Sequence, residues 1–339
     1  MKLKKWQRAL IIVACVVFVW GVIAVFPRTT AHADNIYVVG KDNLPILIAH
    51  GGGNEEYPDN TLEAFCNAYS IDNNVMMETD VSITKDDVIL LSHDTTIDRK
   101  TNKSGEIIQW NYSDLIEQQV DFAYNGVDED NDDLVYTNYN GDHVLPTDVT
   151  YPQAYYDALA DGDIEERSTT VFLATTLEDL LIVFPNNSIN VEIKQSGDTG
   201  LKALQVAMDL VREYDALDRV VFASFHKEIY EQIKEYYKTN PNMMFSPEKN
   251  GVAGILVTSW IWVDLFYFEP IAVLQVPMSE GVINVATRNF VATAHRHNIA
   301  VHFWTIDDEE DMRYLISIGA DGIMTNRPTL LKAVLDSYI

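Results

Sequence analysis

The chain has 339 residues, 47% hydrophobic and 22% charged, enough apolar material for a large buried core, so disorder of the whole chain is excluded. Its 51 acidic side chains against 24 basic ones leave a formal charge of −27, which argues against a nucleic-acid groove or a basic membrane-binding patch. Only Cys15 and Cys66 are present, the first inside an apolar run, so neither a disulfide framework nor a zinc ribbon is expected.

At the N-terminus, Lys2, Lys4, Lys5 and Arg8 precede an unbroken apolar run from Ala9 to Phe26, followed by Pro27, Arg28 and Ala31-His32-Ala33. A basic region, an apolar region and an A-x-A site read as an export signal. The run of 18 residues is longer than the ~7–15 of a cleaved signal and close to the length of a spanning helix. Cleavage after Ala33 and retention as an N-terminal membrane anchor are both open, with residues 1–33 set apart from a domain over 34–339. The basic flank places the remainder outside the cytoplasm, secreted or anchored to the outer face of the membrane. Ile12-Val13-Ala14-Cys15 resembles a lipoprotein box, but the apolar stretch runs well past the cysteine and argues against lipidation. Without residues 1–33 the chain carries 19 basic and 51 acidic side chains, a net −32.

From Pro45 onward, short apolar strands alternate with amphipathic helices, the pattern of a parallel α/β protein. Strands are expected at Pro45–His50, Val75–Val81, Val88–His93, Ile189–Lys194, Arg219–Phe225, Met243–Ser246, Ile271–Gln275, Ala300–Ile306 and Gly322–Thr325. Helical spacing covers Thr61–Ser70, Leu177–Val183, Leu201–Tyr214, Lys227–Tyr237, Arg288–His297 and Glu309–Ile318. The first choice is a (β/α)8 TIM-type barrel, with one strand too many. The gap from Val81 to Val88 is also too short for a crossover helix. Either one of that pair is a hairpin partner, or a stretch near residue 243 or 271 is not a strand. After the third strand comes an insertion, about 104–170. Between Ser104 and Glu166 it holds sixteen Asp and Glu and no Lys or Arg. Counted from Asp128, Asp133 and Tyr139 stand where an EF-hand needs Gly and Glu, so a calcium loop fails and a solvated acidic insertion is expected. Its tyrosines (Tyr124, Tyr136, Tyr139, Tyr151, Tyr155, Tyr156) suggest that it packs on something.

Functional side chains in such a barrel gather at the C-terminal strand ends. Those ends carry His50, then Glu78 and Asp80, then His93, then Glu192 and Lys194. Carboxylates at i and i+2 share a strand face, and charges are rarely buried there unless paired or on a metal. Glu78, Asp80 and Glu192 form an all-oxygen set suited to one divalent cation, Ca²⁺ or Mg²⁺. His50 and His93 are candidates for general base and general acid.

These residues sit in ordered blocks. Ile48-Ala49-His50-Gly51-Gly52, Pro58-Asp59-Asn60-Thr61-Leu62-Glu63-Ala64-Phe65, Glu78-Thr79-Asp80-Val81 and Thr84-Lys85-Asp86 are followed by Ser92-His93-Asp94-Thr95-Thr96-Ile97-Asp98-Arg99. Thr176-Leu177-Glu178-Asp179-Leu180-Leu181, Asn190-Val191-Glu192-Ile193-Lys194, Ser224-Phe225, Phe303-Trp304-Thr305 and Gly319 through Pro328 complete the series. From about Leu47 to the C-terminus, interrupted by the insertion, the chain resembles the glycerophosphodiester phosphodiesterase family. The resemblance implies hydrolysis of a small glycerol phosphodiester, His50 and His93 as acid/base pair, Glu78, Asp80 and Glu192 as cation ligands, and Lys194 on the phosphate. Trp304 and Phe225 are candidates for substrate contact, Phe225 alternatively for barrel filling. Further readings are a phospholipase-type enzyme acting on intact lipid or lipid-linked polymer, and a non-catalytic binding homologue. Nothing in the sequence specifies an oligomer.

Departures from the family pattern are also legible. The arginine that follows the first histidine is Gly51 here. Either Gly51 and Gly52 offer backbone N–H groups to the phosphate as an anion nest, or Gly51–Gly53 is simply a flexible loop. Asp59 stands in place of glutamate and Asn326 in place of a frequent aspartate. His302 is expected to be an interior, hydrogen-bonded histidine, and His295 and His297 to lie on the surface. Trp260, Trp262, Phe266, Tyr267 and Phe268 are expected to pack in core or loop, with lipid contact as the alternative.

Overall fold

The computed structural model describes residues 4–28, 30–40, 43–123, 135–260 and 263–339. Tyr124, Trp262 and the centre of the acidic stretch therefore lie outside the described residues. The strands are β1 Ile46–His50, β2 Met76–Ile83, β3 Ile89–Leu91, β4 Ile189–Ile193, β5 Val220–Ala223, β6 Met244–Phe245, β7 Val273–Val276, β8 Ser279–Glu280, β9 Ile283–Asn284, β10 Ala300–Phe303 and β11 Gly322–Thr325. Eight of them run parallel in the order β6-β5-β4-β2-β1-β11-β10-β7 among the described residues. Between the outermost pair, Ala272 N–H donates to the Phe245 carbonyl at 3.0 Å, so the barrel is nearly closed. The surplus strand is β3, which pairs antiparallel with β2 from Val81↔Leu91 to Ile83↔Ile89, while the stretches near 243 and 271 are both barrel strands.

Alternation along each strand sorts the core into two layers. Leu47, Ala49, Met77, Val81, Val191 and Phe222 point outward into the main core with the helices. Ile48, Met76, Val221, Met244, Val273 and Met324 point inward and fill the barrel with Tyr37. Complete burial of each such side chain contributes about 1.5–3 kcal/mol, so the interior is a packed plug rather than a pore. Local signals set the helix starts. Thr61 caps Leu62–Ile71 by accepting from Ala64 N–H, and Thr176 with Asp179 forms a reciprocal capping box on Leu177–Val183. A helix at Lys249–Trp260, interrupted in sequence by Gly251 and Gly254, was not expected.

The insertion is held on the barrel by its tyrosines and one arginine. Tyr136 donates to the Asn54 carbonyl, and Tyr151 donates to Glu63 at 2.9 Å. Arg167, buried, spans both oxygens of Glu63 at 3.0 and 3.2 Å and the Leu173 and Ala174 carbonyls. The described part is thus a packed flap beside the loop after β1, not merely a solvated tract.

Three expectations need correction. His297 is buried with its Nε2 3.3 Å from Asp264, and His295 bonds Asp321 at 2.7 Å, because the last turn of their helix faces buried carboxylates rather than solvent. Of the described members of the aromatic cluster only Tyr267 is buried; Trp260, Phe266 and Phe268 project outward, 54–69% exposed. His302 is interior as expected, but neither ring nitrogen has a hydrogen-bond partner. It packs against the Tyr37 edge with ring centroids 5.9 Å apart.

Burial lowers the His302 pKa to about 4, with Asp321 opposing. The fold favours the neutral ring, so the penalty is absent above the unfolded value near 6.5. It grows as pH falls from there toward about 4, where it reaches roughly 2–4 kcal/mol. Replacing His302 with Leu should therefore flatten the loss of stability between pH 7 and 4.5, read by urea unfolding at both values; a parallel loss in both proteins would contradict it.

Candidate active site

Strand register brings the catalytic candidates together. β1 sets His50 beside Glu78, and β2 against β4 sets Asp80 beside Glu192. One oxygen from each of Glu78, Asp80 and Glu192 lies within 4.8 Å of the others, deep at the C-terminal end of the barrel. Burial and then the neighbouring Asp80 charge push the Glu78 pKa up to about 8, and burial raises that of Glu192. Lys194 answers part of that charge, its ammonium 2.9 Å from Asp80 and 2.9 Å from Glu192. Against desolvation, those two carboxylates hold the ammonium firmly protonated.

Both histidines are oriented through Nδ1. His50 Nδ1 lies 2.7 Å from Asn326 Oδ1, while Asn326 Nδ2 donates to Asp307 at 2.9 Å. Because the amide nitrogen is committed to a carboxylate, its oxygen must accept, which assigns the proton to His50 Nδ1 and leaves Nε2 free, 3.9 Å from Glu78. Although burial opposes it, Glu78 and Asn326 together raise the His50 pKa. His93 repeats the pattern in a more exposed place. Its Nδ1 lies 3.0 Å from Asp94, which accepts from Arg99, and Arg99 reaches on to Asp59.

A cavity of about 370 Å³ joins these groups: His50, His93, the three carboxylates and Lys194 line it, with Phe225 and Trp304 on its apolar wall. Phe225 therefore lines the pocket rather than filling the barrel. The rings of Phe225 and Trp304 meet edge-on at 6.4 Å.

Gly51 and Gly52 do not form the anion nest. The Gly51 N–H donates to Glu78 at 3.1 Å, and those of Gly52 and Gly53 donate to the Ala49 and His50 carbonyls. All three have positive φ, and a Cβ on Gly52 would lie 2.6 Å from that of Ala64. The run lets the following helix pack against the end of β1 instead of gripping a ligand. Sequence reasoning assigned no role to Asn60 or Asp307. Asn60 accepts from Thr79 at 2.7 Å and donates to Asp80 at 3.3 Å, orienting one carboxylate of the trio. Asp307 lies beyond β10 with no local pattern to mark it, whereas Asn60 stands inside a quoted block.

A model of the glycerophosphoryl diester phosphodiesterase family matches residues 50–330, spanning every residue of this constellation. The chain belongs to that family. A lysophospholipase D of Mus musculus is 24% identical over 316 residues, 86% of each chain. A glycerophosphodiester phosphodiesterase of Caldanaerobacter subterraneus subsp. tengcongensis is 23% identical, over 84% of this chain and 96% of its own. Among solved structures, an Oleispira antarctica phosphodiesterase in complex with the product sn-glycerol-3-phosphate superposes with a TM-score of 0.57 at 17% identity, covering 86% of this chain and 97% of that one. The glycerophosphodiester phosphodiesterase of Agrobacterium tumefaciens gives 0.57 at 15% identity, over 85% and 100%. These superpositions establish the shared barrel. As a member of this family of phosphoric diester hydrolases, the chain is an enzyme, and its three clustered carboxylates could hold a metal.

The donor set fits a hard divalent cation: two buried carboxylates and a partly buried third, one of them pushed toward neutrality by burial and its neighbours, with no sulfur or imidazole among them. Ca²⁺ or Mg²⁺ at roughly a hundredfold over Kd should stabilise the fold by about 2–3 kcal/mol, read as a rise in Tm. Asp80→Asn should abolish the rise; an unchanged response would place the cation elsewhere.

Proposed function

We propose that the enzyme hydrolyses glycerophosphodiesters to sn-glycerol 3-phosphate and an alcohol, outside the cytoplasm, with one divalent cation, Ca²⁺ or Mg²⁺, at Glu78, Asp80 and Glu192. The observation that carries this reading is two histidines, each held at Nδ1, facing one cavity with that carboxylate trio. When bound, the cation would neutralise phosphate charge that grows in the transition state. Lys194, which lines the same cavity, would meet a phosphate oxygen there. One histidine Nε2 takes the proton of the attacking hydroxyl or water. The other, protonated, delivers a proton to the departing alkoxide. Asn326 with Asp307, and Asp94 with Arg99, hold the two rings in those orientations. Phe225 and Trp304 offer apolar surface to the carbon skeleton.

Without the arginine that follows the first histidine in the family pattern, Lys194 and the cation are left to balance the phosphate. Chelation with EDTA should therefore abolish release of glycerol phosphate from glycerophosphocholine. His50→Ala and His93→Ala should each lower kcat by about 10²–10⁴. Full activity in His50→Ala, or after chelation, would defeat the mechanism.

A second substrate reading has its own observation. An apolar cavity of about 420 Å³ adjoins the catalytic one and shares Phe225, Pro247, Gln275 and Trp304 with it. Val252, Leu256, Val276, Ile283 and Val285 complete its wall, and the Lys249 ammonium sits 5.5 Å over the Phe225 ring at its edge. A single acyl chain fits such a groove, and several relatives carry the name lysophospholipase D. Ala253, exposed on the groove wall, can be enlarged without touching the catalytic cavity. Ala253→Trp should slow hydrolysis of a single-chain lipid phosphodiester at least several-fold while leaving glycerophosphocholine turnover intact; equal effects on both would remove this reading.

A further inference from the structure

The N-terminal segment is stitched to the end of the barrel opposite the catalytic mouth. Arg28, 1% exposed, donates to both oxygens of the fully buried Asp264 at 2.7 and 3.0 Å. Asp264 also receives Arg296 at 2.8 Å. The same Arg28 guanidinium donates to the carbonyls of Ile23 and Phe26, closing the C-terminal end of the helix Lys5–Val25. One side chain thus joins the last turn of that helix to the barrel. The attachment continues past it. His32 Nε2 lies 3.1 Å from the Pro270 carbonyl, and Asn298 donates to the His32 and Ala33 carbonyls at 2.6 and 3.0 Å. Asn35 donates to the Ala272 carbonyl, and Tyr37 to that of Arg219. Every one of these barrel partners precedes its strand, so all lie at the N-terminal end.

That helix is 21 residues long, apolar and wholly unburied. At about 1.5 Å per residue it matches a hydrocarbon core of about 30 Å. Around its exit Trp260, Phe266 and Phe268 stand 54%, 62% and 69% exposed. Trp260 has the amphipathic ring enriched at membrane–water interfaces, and Phe266 and Phe268 add exposed apolar surface that a bilayer would cover. The A-x-A residues Ala31-His32-Ala33 meanwhile sit within the stitched stretch, His32 7% exposed.

We propose that the N-terminal helix is retained as a membrane anchor and that the Arg28–Asp264 clasp seats the N-terminal end of the barrel on the bilayer, so that the catalytic mouth opens away from that membrane. The competing surface is Val282, fully exposed at the tip of the β8–β9 hairpin beside the mouth. This proposal is independent of the catalytic reading, because it depends on where the chain leaves the barrel and not on the chemistry inside.

The test uses the full chain in phosphatidylcholine nanodiscs, with Cys15→Ala and the buried Cys66 left in place. A fluorophore is attached to a cysteine introduced by Phe268→Cys or by Val282→Cys, and headgroup-nitroxide lipid is the quencher. Quenching several-fold stronger at position 268 than at 282 is expected, and the intact mass should include residues 1–33. Equal or reversed quenching, or a mature chain beginning at Asp34, would overturn it. Arg28→Ala leaves Asp264 paired with Arg296 and is the variant of choice for the clasp. It should shrink the difference between the two positions while glycerophosphocholine hydrolysis stays unchanged; a difference of undiminished size would remove the clasp from the account.

Discussion

Three carboxylates crowded at the end of a packed barrel are the constraint on which the rest of this molecule turns. In so poor a solvent, like charges within a few ångströms cannot all stay ionised unless something positive joins them. The chain supplies partial answers: the Lys194 ammonium between Asp80 and Glu192, the Gly51 amide on Glu78, the Asn60 amide on Asp80. Glu78 nonetheless remains pushed toward the neutral form, so the set is left short of positive charge. That shortage is what suits the cluster to a cation. A domain with so large an acidic excess has little long-range attraction for an anionic substrate, and local charge has to provide it.

How far the sequence told this story differs by residue. The alternation of strands and helices conveyed the barrel, and the positions of charged side chains at strand ends conveyed His50, His93 and the carboxylates. Such residues are legible because a charge in a strand contradicts burial and so demands a reason. The role of β3 depended on pairing direction, which a stretch of apolar residues does not encode. The glycine run after His50 stayed ambiguous for a related reason. Its positive-φ backbone suits an anion nest and a close helix contact equally, and only the partners of its N–H groups decide between them. Asp307 was invisible because its work is done at a distance, through Asn326. His297 was misplaced because the carboxylate that receives it lies more than thirty positions earlier in the chain.

The two ends of the barrel divide the labour. The mouth carries the charged cavity and beside it an apolar groove, so that a head group and a hydrocarbon chain have separate walls. The far end carries the clasp and the outward-facing aromatic rings. With barrel strands of two to eight residues at about 3.3 Å each, the two are separated by the full height of the sheet. An enzyme seated this way draws on substrate that has already left the bilayer. Water-soluble diesters and single-chain lipids satisfy that condition, whereas a two-chain lipid embedded beside the anchor does not.

The glycine at position 51 also limits what the loop after β1 can accept. Its φ is +54°, and a Cβ there would come within 2.9 Å of Asp59, itself tied to Lys100 and Arg99. Neighbours therefore already fill the space that a side chain at position 51 would need. An arginine introduced there would require Asp59 and its partners to move first, and so would cost stability before it could reach the phosphate. Introducing a fork-shaped donor beside His50 would take a coordinated change in the loop and in Asp59, Lys100 and Arg99 together.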